Sequence, residues 1–203
     1  MSDGVLIAII SSITSVVIAF LTVIVKTWMD NKKLQKKAET DESMKCEDVG
    51  DMMYVQEYLE NLRKVYHFDR VGICQFHNGG KFFKGHSMKK FTMSYEATAP
   101  GIEKIKRNIQ NVMVSEFPHL INGLLTHDSI LLSQSSEGYP NTTREMASAG
   151  VIVSVYIPIR GLSGDLGGFI ICQNIVEHKI DIDKTLIDEL IDMSNQISGY
   201  LVK

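Results

Sequence analysis

The chain has 203 residues, 44% of them hydrophobic and 22% charged, with a formal net charge of −3. That length holds one ordinary domain plus a further segment, and the near-neutral balance excludes a chain that is basic throughout and built for nucleic acid. The averages conceal three blocks: residues 5–25 carry no charge, residues 26–47 are almost wholly polar, and residues 48–203 have the apolar spacing of a folded domain.

Residues 5–25 read VLIAIISSITSVVIAFLTVIV, with sixteen apolar residues and five Ser or Thr. At ~1.5 Å rise per residue a helix of this length crosses a ~30 Å hydrocarbon core. A cleaved signal peptide fits less well, because no basic region precedes the run and no small-residue cleavage site follows it. One transmembrane helix is therefore expected over 5–25. Lys26, Lys32, Lys33, Lys36 and Lys37 follow it, with Trp28 at the interface. The positive-inside rule then leaves residues 1–4 extracytoplasmic and puts the C-terminal domain on the cytoplasmic face of an inner or plasma membrane. Three cysteines, Cys46, Cys74 and Cys172, suit a reducing compartment better than a disulfide framework. Within the helix, Ala8 and Ser12, and Ser11, Ser15 and Ala19, recur every four residues. Such a stripe favours self-association, although Ser and Thr also occur in membrane helices without that role. Residues 26–47 read as a charged stalk or linker, whose lysines are worth ~1 kcal/mol each against anionic head groups.

In the third block, Met52, Val55, Tyr58, Leu59, Leu62, Val65 and Tyr66 predict an amphipathic helix over 48–67. DRVGICQFH and KFTMSYEAT follow as strands. IEKIKRNIQNVMVSEF reads as a helix ended by Pro118, and HLINGLL as a short turn or helix. SILLSQS is a short strand, and NTTREMASAG a helix capped by Asn141 or Thr142 and ended by Gly150. VIVSVYIPI and GGFIICQNIV are strands joined by RGLSGDL. Asp181 or Asp183 caps a last helix with Leu186, Ile187, Leu190, Ile191, Ser194, Ile197 and Leu201 on one face. This order predicts an α+β fold, an antiparallel sheet of about five strands packed with helices.

The stretch EMASAGVIVSVYIPIRGLSGDLGGFIICQN resembles the second half of a GAF domain. The likeness rests on Ala147 and Gly150 at a helix end, a strand running into Pro158, a polar turn, and Gly167-Gly168 entering the last strand. It extends to 50–203 as topology and is shared with PAS-like sensors. The resemblance implies first and last strands side by side. Both contain Ile-Cys-Gln, so Cys74 and Cys172 are expected close together as thiols near the sheet centre.

No catalytic residue is assigned, since neither a Gly-x-Ser-x-Gly elbow nor a Walker loop is present. The six histidines, His67, His77, His86, His119, His127 and His178, form no zinc-type pair, so no metal is expected. The cyclic-nucleotide signature of GAF domains and a bilin-attaching Cys-His context are not recognisable, and the cofactor stays unknown. Between Glu60 and Gln110 ten Lys or Arg against four acidic residues leave +6 locally. An anionic small molecule or an acidic protein surface would suit that excess, as would nothing more than a solvated face.

In QFHNGGKFFKGHSMKKFTMSYE, Asn78-Gly79 is a hairpin signal. KFFKGHSMKK does not alternate, so a turn there predicts a loop of about ten residues before Phe91, long enough to carry function. His77, Asn78, Lys81, Lys89, Tyr95 and Glu96 are the candidate ligand-binding residues, with His77 and Asn78 tying the loop to itself as the plain alternative. The whole reads as a membrane-anchored, non-enzymatic, GAF-like domain for ligand sensing or protein docking, homodimeric through its terminal helices. The layout also resembles small phage-encoded membrane proteins, and the alternative is a holin-like phage lysis protein or lysis regulator with a periplasmic domain. A reporter fused to the C-terminus is expected to show cytoplasmic activity; periplasmic activity would favour the lysis protein.

Overall fold

The computed structural model describes residues 22, 24–32, 46–81, 87–176 and 182–201. Apart from residues 22, 24 and 25, the expected transmembrane helix and its small-residue stripe lie outside the described residues. Among the described residues no helix is long and apolar enough to cross a membrane. Residues 24–32 are helical, with Lys32 Nζ 4.4 Å from the centroid of the Trp28 ring, a cation–π contact.

The chain divides into two compact units, Met1–Val49 and Gly50–Lys203. Helix α1 (Cys46–Val65) leads into the second. There β1 (Arg70–Lys81), β2 (Ser87–Thr98), β3 (Val112–Met113), β4 (Ile130–Ser133), β5 (Val153–Arg160) and β6 (Leu166–Asn174) form one antiparallel sheet in the order β3-β2-β1-β6-β5-β4. The additional helices are α2 (Pro118–Thr126), α3 (Pro140–Ser148) and α4 (Lys184–Leu201). The sixth strand relative to expectation is the two-residue β3.

Both faces of the sheet are covered, which is why its central strands read as near-continuous apolar runs. On the first face Val71, Ile73, Val155, Ile157, Ile159, Ile170 and Cys172 pack with Val55, Leu59 and Leu62 of α1 and Leu190 and Ile197 of α4. The Ser194 hydroxyl of α4 donates to the Pro158 carbonyl at 2.7 Å. Asp183 caps α4 as the sequence suggests, its Oδ1 accepting the Leu186 amide at 2.9 Å. On the second face Cys74, Phe91, Met93, Tyr156, Phe169 and Ile171 pack with Leu120 and Leu124 of α2 and Met146 of α3. Among the described residues, every buried member of the two cores lies between Val55 and Ile197.

Four expectations are corrected. Residues 102–117 are not a helix: turns lead into β3 and a 3-10 turn, Val114–Glu116. Helical spacing there is overridden by bonds to the sheet edge, including Met93 N–H to the Ile109 carbonyl at 2.9 Å, and by positive φ at Asn111 (57°). Asn78-Gly79 is not the hairpin turn; the ladder continues through His77↔Lys90, Asn78↔Lys89 and Lys81↔Ser87, with a register shift between Asn78 and Lys81. Helix α3 begins at Pro140, behind Tyr139 rather than an Asn141 or Thr142 cap, because proline suits a first helical turn; its expected terminator does hold, Gly150 having φ 67°.

The fourth concerns the cysteines. Ile73-Cys74-Gln75 faces Ile170, Phe169 and Gly168, so the two Ile-Cys-Gln triplets pair out of step and Cys172 lies opposite Val71. The odd offset turns the thiols to opposite faces, Cys172 into the first core and Cys74 into the second. Both are free and buried.

Burial raises the folded-state pKa of both thiols above 9.0 and pushes the Tyr156 phenol from 10.0 up to about 12. The folded state therefore holds these protons more tightly than the unfolded chain. Their stabilisation is fully present below pH 9 and is lost as pH rises from there through the folded values. Denaturation midpoints measured from pH 7 to beyond pH 10 are expected to stay flat and then fall, with Cys172→Ala making the fall shallower.

Candidate functional site

The six residues singled out by sequence divide between two faces and two ends of the β1–β2 pair. His77 is half-buried, with Nε2 2.9 Å from Thr92 Oγ1. Asn78 is exposed and its Oδ1 accepts from Lys89 Nζ at 3.0 Å. Lys81 is the last residue of β1. Tyr95 packs against the first core, its phenol pKa raised by burial and then by the Asp51 carboxylate. Glu96 is buried opposite Gly72, five rungs or ~16 Å along the strand from His77. The structure thus brings together Asn78 with Lys89, and His77 with Thr92. It does not bring His77, Asn78, Tyr95 and Glu96 into one pocket.

Glu96 belongs instead to a buried polar cluster on the second face. Its carboxylate lies 3.3 Å from Arg70 Nε, with side-chain exposures of 1% and 4%. Glu96 Oε1 accepts the Ile105 amide at 2.8 Å and Oε2 the Lys106 amide at 3.0 Å. Arg70 Nη1 donates to Gln173 Oε1 at 2.9 Å and Nη2 to the Glu103 carbonyl at 2.7 Å. One carboxylate and one guanidinium therefore fasten residues 103–106 across the end of the sheet. Burial lowers the Arg70 pKa, and the carboxylates of Glu96, Glu103 and Asp69 oppose that shift.

The register carries the cluster further. Arg70 pairs with Gln173 and Gln173 with Ser154, forming one row across β1, β6 and β5. The next row is Glu96, Gly72, Ile171 and Tyr156. Arg70 Nε, Ser154 Oγ and Asn174 Oδ1 are buried without a geometric hydrogen bond, but Arg70 Nε faces the Glu96 carboxylate at 3.3 Å and Ser154 faces the Tyr156 phenol, whose pKa it lowers against the effect of burial. Arg70 and Ser154 are 3% and 0% exposed. Gly72 leaves a gap in the second row that Met93 fills; a Cβ there would come within 2.9 Å of Met93 Cε.

Beyond this polar end the face is aromatic. Phe169 sits 5.4 Å from Phe91, 5.7 Å from Phe76 and 6.3 Å from Tyr156, measured between ring centroids, and Phe91 meets Phe117 edge-on at 5.9 Å. Lys104, Lys106 and Arg107 are exposed on the segment that runs along the outer edge of β2. Among the described residues no three His, Cys, Asp or Glu side chains are grouped to hold a metal ion.

Sequence reasoning passed over Arg70, Gln173 and Ser154. The available signal was a polar residue within or beside an apolar strand, which is costly unless the fold gives it a partner.

No protein-family model matches the chain, and no curated protein matches it in sequence. Solved structures do resemble it. One is the GAF domain region of a membrane protein from Geobacter sulfurreducens PCA, with 14% identity, TM-score 0.56, and coverage of 76% of this chain and 94% of that one. The GAF domain of Thermosynechococcus elongatus PixJ, in its blue-light absorbing form, has 15% identity, TM-score 0.55, and covers 78% and 89%. A far-red cyanobacteriochrome photoreceptor has 9% identity, TM-score 0.58, and covers 85% and 95%. At such identities the likeness concerns the fold alone. The fold is GAF-like, an antiparallel sheet of six strands with helices on both faces, similar to photoreceptor and sensor domains.

Replacing Glu96 by alanine strips two amides of their acceptor and a buried guanidinium of its counter-ion. A destabilisation of about 3–5 kcal/mol is expected. In Glu96→Gln, hydrogen exchange at the Ile105 and Lys106 amides is expected to accelerate ahead of global unfolding, whereas Lys106→Ala, which alters only an exposed side chain, leaves it unchanged.

Proposed function

We propose that the chain is a membrane-anchored, non-enzymatic sensor whose second sheet face takes up a small molecule and reports it through the segment over that face. The observation that carries this reading is the buried Arg70–Glu96 ion pair at one end of an otherwise apolar and aromatic sheet face, with the Glu96 carboxylate holding the amides of Ile105 and Lys106. A buried ion pair is a costly choice for a core whose only purpose is stability.

The likeness of fold to sensor domains supports the same reading. The uncharged run 5–25 and the lysines after it support an anchor with the domain in the cytoplasm. Exposed Met52, Met53, Val65 and Tyr200, with Tyr54 and Tyr200 rings 4.5 Å apart, support self-association through α1 and α4.

Residues 46–203, screened by thermal shift against a metabolite library, are expected to gain roughly 5–10 °C at a hundredfold excess over Kd. Ser154→Leu, which enlarges a fully buried side chain on that face, should abolish the gain. A library that nowhere moves the melting temperature would turn the reading to a scaffold.

A further inference from the structure

Resting on the membrane-anchored reading, we infer that one end of the domain meets the bilayer directly, the turn between β5 and β6 laying Leu162 into the layer beneath the head groups. Leu162 is fully exposed, at 108% of its reference area. It is the first central residue of a tight turn. The Gly164 amide donates to the Gly161 carbonyl and the Gly161 amide to the Asp165 carbonyl, both at 2.9 Å, and Gly164 takes the positive φ (84°) that closes the loop. Glycine, proline and small polar residues dominate such turns. Here a hydrogen-bonded backbone holds an apolar side chain out at the apex.

The same end of the sheet is where the chain enters the domain. The Ser198 hydroxyl of α4 donates to the carbonyl of Arg160, the last residue of β5. Helix α1 runs antiparallel to α4: Tyr66 bonds Glu189, Tyr58 Oη donates to Gln196 Oε1 at 3.1 Å, and the Tyr54 and Tyr200 rings lie 4.5 Å apart. The first turns of α1 after Gly50 therefore stand at the β5–β6 turn end, with Met52 and Met53 exposed. Arg160 Nη2 donates to the Leu124 and His127 carbonyls at 2.9 and 3.3 Å, which brings the end of α2 and its exposed Leu125 there too.

What covers these apolar groups follows from the order of the chain. The uncharged run 5–25 precedes Gly50 by residues 26–49 alone, and a tether so short holds the entry end near the bilayer at a roughly millimolar effective concentration. Charge does not draw this end in. Exposed Lys89 and half-buried Lys90 are offset by Asp51, Asp128 and Asp165, and Lys104, Lys106 and Arg107 lie at the other end of β2, beside Glu96. The contact is apolar and interfacial, and it needs no anionic lipid.

The test uses the full chain reconstituted in phosphatidylcholine vesicles. Trp28 is the single tryptophan, so Leu162→Trp with Trp28→Phe places one indole at the turn, and Lys104→Trp with Trp28→Phe places one at the opposite end. Lipid brominated in its acyl chains is expected to quench the first indole about threefold or more over the second, and acrylamide to do the reverse. The difference should persist from about 0.05 M to 0.5 M salt. With Met53→Trp as the probe, adding Leu162→Asp is expected to cut bromolipid quenching about threefold. A chain that does not float with the vesicles would overturn the anchored reading and this inference together. A floating chain whose two indoles are equally quenched, or both open to acrylamide, would overturn the inference alone. So would quenching at the turn that salt abolishes or that Leu162→Asp leaves unchanged at Met53. Shielding from acrylamide without bromolipid quenching would put a protein at this end instead of lipid, and also overturns it.

Discussion

The ion pair between Arg70 and Glu96 is the constraint on which this side of the domain depends. Neither group would be tolerated alone at such burial, and together they bind three strands and a connecting segment. Arg70 joins β1 to Gln173 of β6, and Glu96 lies on β2. The amides of Ile105 and Lys106 and the carbonyl of Glu103 are drawn onto the pair. Residues 103–111 can then follow the outer edge of β2, and β3 can pair with Lys90 and Phe91. A stretch whose apolar spacing is helical becomes an edge and a cover because two buried charges claim its backbone.

The sheet divides its labour by face. The first is a conventional core, closed by α1 and α4, whose polar atoms mostly serve the backbone: Ser194 satisfies a β5 carbonyl, and Asp183 starts the last helix. The second runs from a polar row through Gly72 to a layer of aromatic rings. The face therefore passes from a charge-balanced pair to a wholly apolar layer within a few rungs.

Much of the fold was legible in the sequence because it rests on local periodicity. The continuous apolar runs of β5 and β6, the glycine ending α3 and the aspartate opening α4 are each signals confined to a few residues. What escaped depends on contacts distant in sequence. Nothing near residue 102 announces that Glu96 will take its amides, and nothing near Asn78-Gly79 announces that Lys89 and Lys90 will continue the ladder past it. The Ile-Cys-Gln repeat placed β1 beside β6 correctly yet misjudged their register by three rungs, since identical triplets need not align in an antiparallel pair. The candidate site shows the same division. Glu96 was found by its position in a strand after the basic loop, but its partners Arg70, Gln173 and Ser154 sit in other strands and could be joined to it only through the sheet.

The two ends of the sheet carry a different consequence. Its outermost strands are β3, with two residues, and β4, with four, while the longer strands lie inside. Exposed edges invite other chains to add on as further strands. Here the edges are too short to template such growth, and the cover along β2 occupies the hydrogen-bonding groups that would otherwise extend one of them. The segment fastened over the Arg70–Glu96 pair thus also shields the domain from polymerising with its own kind.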